Sequence, residues 1–244
     1  RRGIKDRLTA LAPFLSWDSD PYAAIVDNHV VWIVDGYTTS NSYPYSQSFG
    51  REGLPSGSDI ARIPLNYMRS AVRAVIDADT GTTTLYESDI EQSTDPILTL
   101  WKKVLPDLIE PADSMSQELR AHLRYPKDLF IVQSSLLGRY HVSDAESLFN
   151  GQDRWTISPA PGADVGMPGY AVSQPVFRFN TVAGKSQWSM IRTYNTGSSS
   201  NVSAGRDVLS AMIIASNDSP QKLQVIRLNS SDGNKISSPQ VAQS

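Results

Sequence analysis

The chain has 244 residues, of which 40% are apolar, and this is enough for one large domain or two small ones with a sizeable core. Its net charge of −3 argues against a nucleic-acid-binding protein, because such a protein presents a basic face. The absence of cysteine excludes disulfides, thiolate metal sites and thiol nucleophiles, and we predict no cofactor. No apolar run approaches the roughly 18 residues of a transmembrane helix.

The chain is predicted to begin with a short helix, a β-hairpin and a long loop. Apolar residues at helical spacing from Ile4 onward indicate an amphipathic helix that ends near Pro13. The apolar runs 23–26 and 30–37 are joined by an Asp-Asn turn and are typical of a hairpin. Residues 38–62 are rich in Ser, Gly and Tyr, and they predict a long loop of the kind that is usually functional or mobile.

A second hairpin is predicted from the runs 70–78 and 82–87, which flank an Asp-Thr-Gly turn. The middle of the chain then has helical patterns. Asp95 precedes a proline at the first helical position, and Ser116 opens another helix. The predicted apolar stripe of the first of these helices consists of Ile97, Leu100, Trp101, Val104, Leu105 and Leu108.

The last part of the chain is predicted to be mainly β-structure. Ser143 and Glu146 have the spacing of a capping box and begin a final helix. Residues 158–174 are rich in Pro, Gly and Ala, which indicates a linker or a long loop. Four predicted strands follow, at residues 175–182, 186–196, 207–216 and 222–229.

These patterns predict an α+β fold, with antiparallel β-sheet elements at both ends and a central helical segment near residues 95–150. We expect an N-terminal α+β part at residues 1–157 and the linker at residues 158–174. A mainly β part at residues 175–244 then forms a second domain or packs into the same one.

The order of several short motifs resembles the UPF0182 family, large bacterial integral membrane proteins of uncharacterised function. The motifs include APFL, DPY, D-x-YTTS, YPYS, LRYP-x-DLF and RYHV. They lie at Ala12–Leu15, Asp20–Tyr22, Asp35–Ser40, Tyr43–Ser46, Asn66–Asp77, Asp95–Ile97, Leu123–Phe130, Arg139–Val142 and Gln152–Trp155. Residues 156–244 match the pattern only loosely.

The resemblance implies a soluble region of a multi-span protein of the bacterial plasma membrane, lying outside the cytoplasm. The membrane attachment would then come from transmembrane helices of the parent chain outside these 244 residues, and we interpret both chain ends as boundaries within it. We expect this region to bind a partner protein, such as an envelope protein, or an envelope glycan. The alternatives are a carboxylate-based envelope hydrolase and a structural scaffold for the parent membrane protein.

Two sets of residues are weak candidates for a metal site. Asp18 and Asp20 precede the first hairpin, and hard cations bind several carboxylate oxygens. We favour turn chemistry for these aspartates, in which the side chain accepts hydrogen bonds from nearby backbone. His122 and His141 lie on neighbouring predicted helices and have the chemistry of metal ligands, but a structural role at helix ends is the favoured interpretation.

No catalytic residue is predicted, because the sequence has no nucleophile-elbow or phosphate-loop motif. The hydrolase alternative depends on paired carboxylates. Its candidates are Glu118, Asp128, Asp144 and Glu146.

An aromatic tract at the end of the first predicted hairpin and in the long loop is the leading candidate for ligand binding. Tyr37, Tyr43, Tyr45 and Phe49 lie among Ser, Asn and Gln. Exposed tyrosine suits sugar or peptide binding, because the ring offers contact area and the hydroxyl offers hydrogen bonds. The alternative is that these rings fix the loop to the core.

Overall fold

The computed structural model describes residues 3–49, 53–62, 64–90, 94–151, 154–158, 174–182, 185–196, 208–216, 222–228 and 236–238. The chain divides into two compact units, Arg1–Leu129 and Phe130–Ser244. Each unit combines helices with a mainly antiparallel sheet, which confirms the α+β prediction.

Among the described residues, the first unit contains six strands, three complete α-helices and two short 3-10 helices, Asp59–Ala61 and Ala112–Ser114. The helices are α1 (Ile4–Leu11), α2 (Pro96–Val104) and α3 (Gln117–Ala121). The strands are β1 (Ser16–Trp17), β2 (Tyr22–Val26), β3 (His29–Ser40), β4 (Tyr67–Asp77), β5 (Thr83–Glu87) and β6 (Ile109–Glu110). Helix α4 (Lys127–Tyr140) begins in this unit and continues into the second.

The sheet of the first unit is built around β3 and β4. Its strands lie in the order β1-β3-β4-β5-β6, and β2 also pairs with β3. All pairs are antiparallel except β5 with β6. Both predicted hairpins are confirmed as β2–β3 and β4–β5. Asp27 and Asn28 form the first turn with positive φ, as a tight two-residue hairpin turn requires.

The core of the first unit contains Trp17, which is fully buried and lies directly over Gly36 of β3. A Cβ atom on Gly36 would lie 2.7 Å from the Trp17 ring and 2.7 Å from Val72. Glycine at this position therefore permits the close packing of the indole on the sheet. Apolar residues from α1, β4, β5 and α2 complete this cluster, including Leu8, Ala74, Leu85 and Leu98.

The second unit has its own sheet. It contains α5 (Ala145–Asn150), β7 (Trp155–Ile157), β8 (Val176–Val182), β9 (Lys185–Thr196), β10 (Leu209–Ser216) and β11 (Leu223–Arg227). The strands lie in the order β11-β10-β9-β7, and β8 also pairs with β9. Buried Tyr194 of β9 donates to the carbonyl oxygen of Ser134 in α4 at 2.7 Å, and this bond holds the helix on the sheet. The four strands predicted from sequence are confirmed.

Two local predictions are corrected by the structure. In α2 the buried residue is Leu98, whereas Leu100 and Val104 of the predicted stripe are 60% and 59% exposed. Helix α5 is capped by Asp144, whose carboxylate accepts from the Ser147 backbone at 2.8 Å, and not by the predicted Ser143. The predicted loop 38–62 is shorter, because β3 continues to Ser40.

The domain boundaries expected from the sequence stay a prediction. Most of the expected linker, residues 159–173, lies outside the described residues.

Candidate binding surface

The loop that follows β3, residues 41–49, is named here the tyrosine loop. It starts and ends beside the sheet, because the backbone of Asn66 donates to the carbonyl oxygen of Ser40 at 2.9 Å. At its other end, the backbone of Phe49 donates to the carbonyl oxygen of Leu65 at 3.1 Å. The tyrosine loop is therefore closed on the start of β4.

The side chain of Asn66 fixes the middle of the tyrosine loop. Its Oδ1 accepts from the backbone of Tyr43 at 3.0 Å. Its Nδ2 donates to the carbonyl oxygens of Tyr43 at 2.8 Å and Ser46 at 3.1 Å. The Ser46 hydroxyl returns a hydrogen bond to the Asn66 carbonyl oxygen at 2.7 Å. One amide thus holds both sides of the turn that contains Tyr45.

Tyr45 is the most exposed large apolar side chain among the described residues, and its ring is fully solvent-accessible. Its φ of 57° lies in the left-handed region, which only a few per cent of non-glycine residues adopt. Such a backbone conformation persists only where the surroundings enforce it, and here the Asn66 bonds do so. The loop therefore presents the Tyr45 ring to solvent from a backbone that is held in place.

Tyr43 lies deeper and rests on a chain of aromatic and polar contacts. Its ring stacks on Tyr67 with centroids 4.7 Å apart. The Tyr67 hydroxyl donates to Asp95 Oδ1 at 2.7 Å. The Asp95 carboxylate also accepts from the Thr38 hydroxyl and from the backbone of Ile97 at the start of α2. Burial, and then the Asp95 hydrogen bond, raise the pKa of Tyr67.

Tyr37 and Phe49 differ from the other two predicted binding residues. Tyr37 is completely buried, and its hydroxyl donates to Asp18. The structure therefore corrects the surface role predicted for Tyr37, which belongs to the core. Phe49 is half-buried at the end of the tyrosine loop. Ligand binding by Tyr43, Tyr45 and Phe49 stays a prediction.

A buried pair of carboxylates lies elsewhere in the first unit. Asp18 and Asp128 are 2% and 0% exposed. Asp18 accepts from Tyr37 and from the backbone of Asp128 at 2.9 Å. Asp128 accepts from the backbone of Ser19 at 3.0 Å and from its hydroxyl at 2.6 Å. Sequence reasoning missed this pair, because the two residues are 110 positions apart.

Burial and the neighbouring Asp128 carboxylate raise the pKa of Asp18 to about 8. Burial also raises the pKa of Asp128. Ionising both acids in one enclosed site is unfavourable, because each charge loses its hydration and repels the other. The pair therefore retains a proton near neutral pH.

A buried ion pair crosses the sheet beside these acids. Arg73 and Asp35 are directly opposite in β4 and β3, with Nη1 and Oδ1 2.9 Å apart. The same Nη1 donates to the Arg124 carbonyl oxygen at 3.1 Å. Burial raises the pKa of Asp35 to about 6, although the Arg73 charge acts in the opposite direction. The sequence carried one signal for this ion pair: Arg73 stands within an otherwise apolar predicted strand, where a buried charge needs a partner.

Each weak metal candidate has a local structural contact of its own. Asp18 Oδ1 accepts from the backbone of Asp20 at 2.8 Å, which is the turn chemistry described above. His122 Nδ1 lies 2.9 Å from the Glu118 carbonyl oxygen. His141, in the second unit, stacks on Trp155 with centroids 3.7 Å apart. Within the described ranges, no group of three or more His, Asp or Glu residues is placed to hold a metal ion.

Among the residues that the structure describes, no helix is long and apolar enough to cross a membrane.

The fold and surface define an α+β protein of two compact units with a rigidly held aromatic loop. The family model described as "Uncharacterised protein family (UPF0182)" matches residues 1–244, so the chain belongs to that family.

Proteins named UPF0182 from three actinobacteria illustrate the relation. The Mycobacteroides abscessus protein is 38% identical over 87% of this chain and 21% of its own length. The Frankia casuarinae protein is 36% identical over 98% of this chain and 23% of its own. The Clavibacter michiganensis protein is 45% identical over 66% of this chain and 17% of its own length. The chain thus spans about a fifth of the length of these relatives. No solved structure matches it.

Proposed function

We propose that this chain is a non-enzymatic, extracytoplasmic part of a bacterial membrane protein that binds a partner protein or an envelope ligand through the tyrosine loop. The observation that carries the binding proposal is the exposed Tyr45 ring on a backbone fixed by Asn66. A loop backbone that is already held loses little further conformational entropy on binding, and a tyrosine has only two χ angles to immobilise. The membrane part of the proposal rests on the motif resemblance, and most of each relative's length lies outside the aligned region.

The burial of the acids favours binding over hydrolysis. A hydrolase needs two carboxyl groups that reach the substrate from opposite sides. Asp18 and Asp128 are enclosed and already accept hydrogen bonds from the protein, so their arrangement supports a structural role. Among the other acids considered, Asp144 is engaged in capping α5.

A scaffold role is a second candidate, and the outer face of α2 favours it. Leu100, Val104 and Leu105 are 60%, 59% and 39% exposed, and they follow one another at helical spacing. Contiguous exposed apolar residues often mark a contact surface. If the scaffold role holds, this face packs against another part of the parent protein.

The binding proposal is tested with Tyr45→Ala. We expect the variant to lose retention on an envelope fraction prepared from Rhodococcus jostii, whose UPF0182 protein is 44% identical over 67% of this chain. Because the Tyr45 side chain is fully exposed, the melting temperature of the Tyr45→Ala variant should differ from that of the parent by no more than about 2 °C. Phe149→Ala, at a ring that is 90% exposed in the second unit, is the matched control and should still bind. Equal retention of both variants would contradict the proposal.

The proposed location needs a separate measurement. The full-length protein, carrying a tag within this region, should be labelled by membrane-impermeant reagents on intact bacteria. Protection of the tag until the cells are lysed would place this region on the cytoplasmic side instead.

A further inference from the structure

We infer that the ligand of the tyrosine loop is an uncharged glycan, whose sugar ring stacks on Tyr45; this inference rests on the proposed binding function. The first observation is charge. Residues 36–50, which include the whole tyrosine loop, contain no Asp, Glu, Lys, Arg or His. A site for a phosphate, a carboxylate or a cationic peptide would need an opposite charge at the contact, because desolvating an unpaired charge is costly.

The charged side chains that contact Tyr67 at the base of the loop, Asp95 and Arg69, are already engaged with the protein. Asp95 accepts from the hydroxyls of Tyr67 and Thr38 and from the backbone of Ile97. It therefore supports the base of the loop and offers little to a cationic ligand. A charged ligand would find no matching group among the side chains of the tyrosine loop itself.

The second observation is the backbone of the loop. An extended peptide is commonly recognised through main-chain hydrogen bonds, as an added strand. Here the N–H and carbonyl groups of Tyr43 and the carbonyl of Ser46 already bond to the Asn66 side chain. These groups are unavailable for pairing with a peptide strand.

The third observation is what the loop does present. The Tyr45 ring offers a flat, solvent-exposed apolar face on a backbone that Asn66 holds, and the C–H groups on one face of a sugar ring are complementary to it. Asn41, Ser42 and Ser46 are exposed in the same loop. The Ser42 hydroxyl donates to Asn41 Oδ1 and the Ser46 hydroxyl to the Asn66 carbonyl oxygen, so both hydroxyl oxygens keep lone pairs that can accept from sugar hydroxyls without any charge.

The inference is tested by affinity electrophoresis in gels that contain dextran, mannan or galactan, with heparin and hyaluronate as charged polymers. We expect at least one neutral polysaccharide to retard the protein and the charged polymers to have no greater effect. Tyr45→Ala should weaken the retardation at least tenfold, whereas Tyr45→Phe, which keeps the ring face, should remain within about threefold. Phe149→Ala is the control for a general loss of exposed aromatic area.

The outcomes separate this inference from the proposed function. Retention on the Rhodococcus envelope fraction that depends on Tyr45, with no retardation by any neutral polysaccharide, overturns the glycan inference and leaves the binding function intact. Loss of that retention after protease treatment of the fraction identifies a protein partner. This result also overturns the glycan inference and leaves the binding function intact. Retardation that persists in Tyr45→Ala shows that glycans bind elsewhere and overturns the assignment to this loop.

Discussion

Replacing Asp18 by asparagine should change the pH dependence of stability. In the folded protein the pKa of Asp18 is raised to about 8, mainly by burial and next by Asp128, whereas an unfolded chain has an ordinary aspartate value near 4. Between these values the folded state holds a proton that the unfolded state has released. The free energy of unfolding therefore falls as the pH rises through this window, by up to about 1.4 kcal/mol per pH unit, and levels off above it.

Asparagine resembles the protonated acid in shape and has no charge to desolvate. In Asp18→Asn the amide oxygen can take the place of Oδ2, which accepts from Tyr37 and from the backbone of Asp128. The amide NH2 then replaces Oδ1, so the bond from the Asp20 backbone is lost at every pH and does not change the slope. The pKa of Asp35 is raised to about 6, so the fall in stability that its ionisation causes as the pH rises is nearly complete by that pH. Between pH 6 and 8 the slope therefore comes mainly from Asp18 together with Asp128, whose pKa is also raised. Over this range the stability of the variant relative to the parent should rise by roughly 2 kcal/mol.

Urea unfolding followed by tryptophan fluorescence, at half-unit steps from pH 5 to 9, measures this difference. Asp113→Asn is the matched control, because the Asp113 carboxylate is fully exposed, and it should leave the slope unchanged. Parallel pH profiles for Asp18→Asn and the parent would refute the reasoning. Strong destabilisation of Asp18→Asn at pH 8 would also refute it, because it would mean that the ionised form is the one the fold prefers.

Two further predictions concern backbone placement. Gly36→Ala should lower the free energy of unfolding by about 1–3 kcal/mol, since its methyl group would overlap a buried ring, whereas Gly57→Ala, with open space around it, should be near neutral in the same urea titration. Asn66→Ala should increase chymotrypsin cleavage after Tyr45, because three hydrogen bonds that hold the loop are lost. The cleavage is followed by mass spectrometry, and the control variant Asn41→Ala should be cleaved at the parent rate. Equal cleavage rates for the Asn66→Ala and Asn41→Ala variants would mean that Asn66 does not order the loop.

The hairpins were predictable because their signals are local. Alternating apolar runs on either side of an Asp-Asn or Asp-Thr-Gly turn determine both the strands and their antiparallel pairing. The outward face of α2 was not predictable in this way. Several apolar residues compete for the core there, and the buried Leu98 is selected by the elements packed against the helix rather than by its spacing.

The candidate site was only partly predictable for a similar reason. The tyrosines were visible in the sequence, but the burial of Tyr37, the last residue of the predicted strand 30–37, depends on its contact with Asp18, which lies in another part of the chain. The Asn66 bonds and the pairing of Asp18 with Asp128 depend on residues that meet only after the sheet has formed. Periodicity carries no information on such long-range contacts.

The course of α4 has a practical consequence for dividing the protein. The boundary between the two units falls after Leu129, the third residue of a helix that begins at Lys127. A fragment truncated there would keep Asp128 but leave it on a stub too short to form a single i to i−4 hydrogen bond. The amide that Asp18 accepts from would then be poorly ordered. A fragment meant to contain the first unit should therefore extend through Tyr140, so that the helix carrying Asp128 can form.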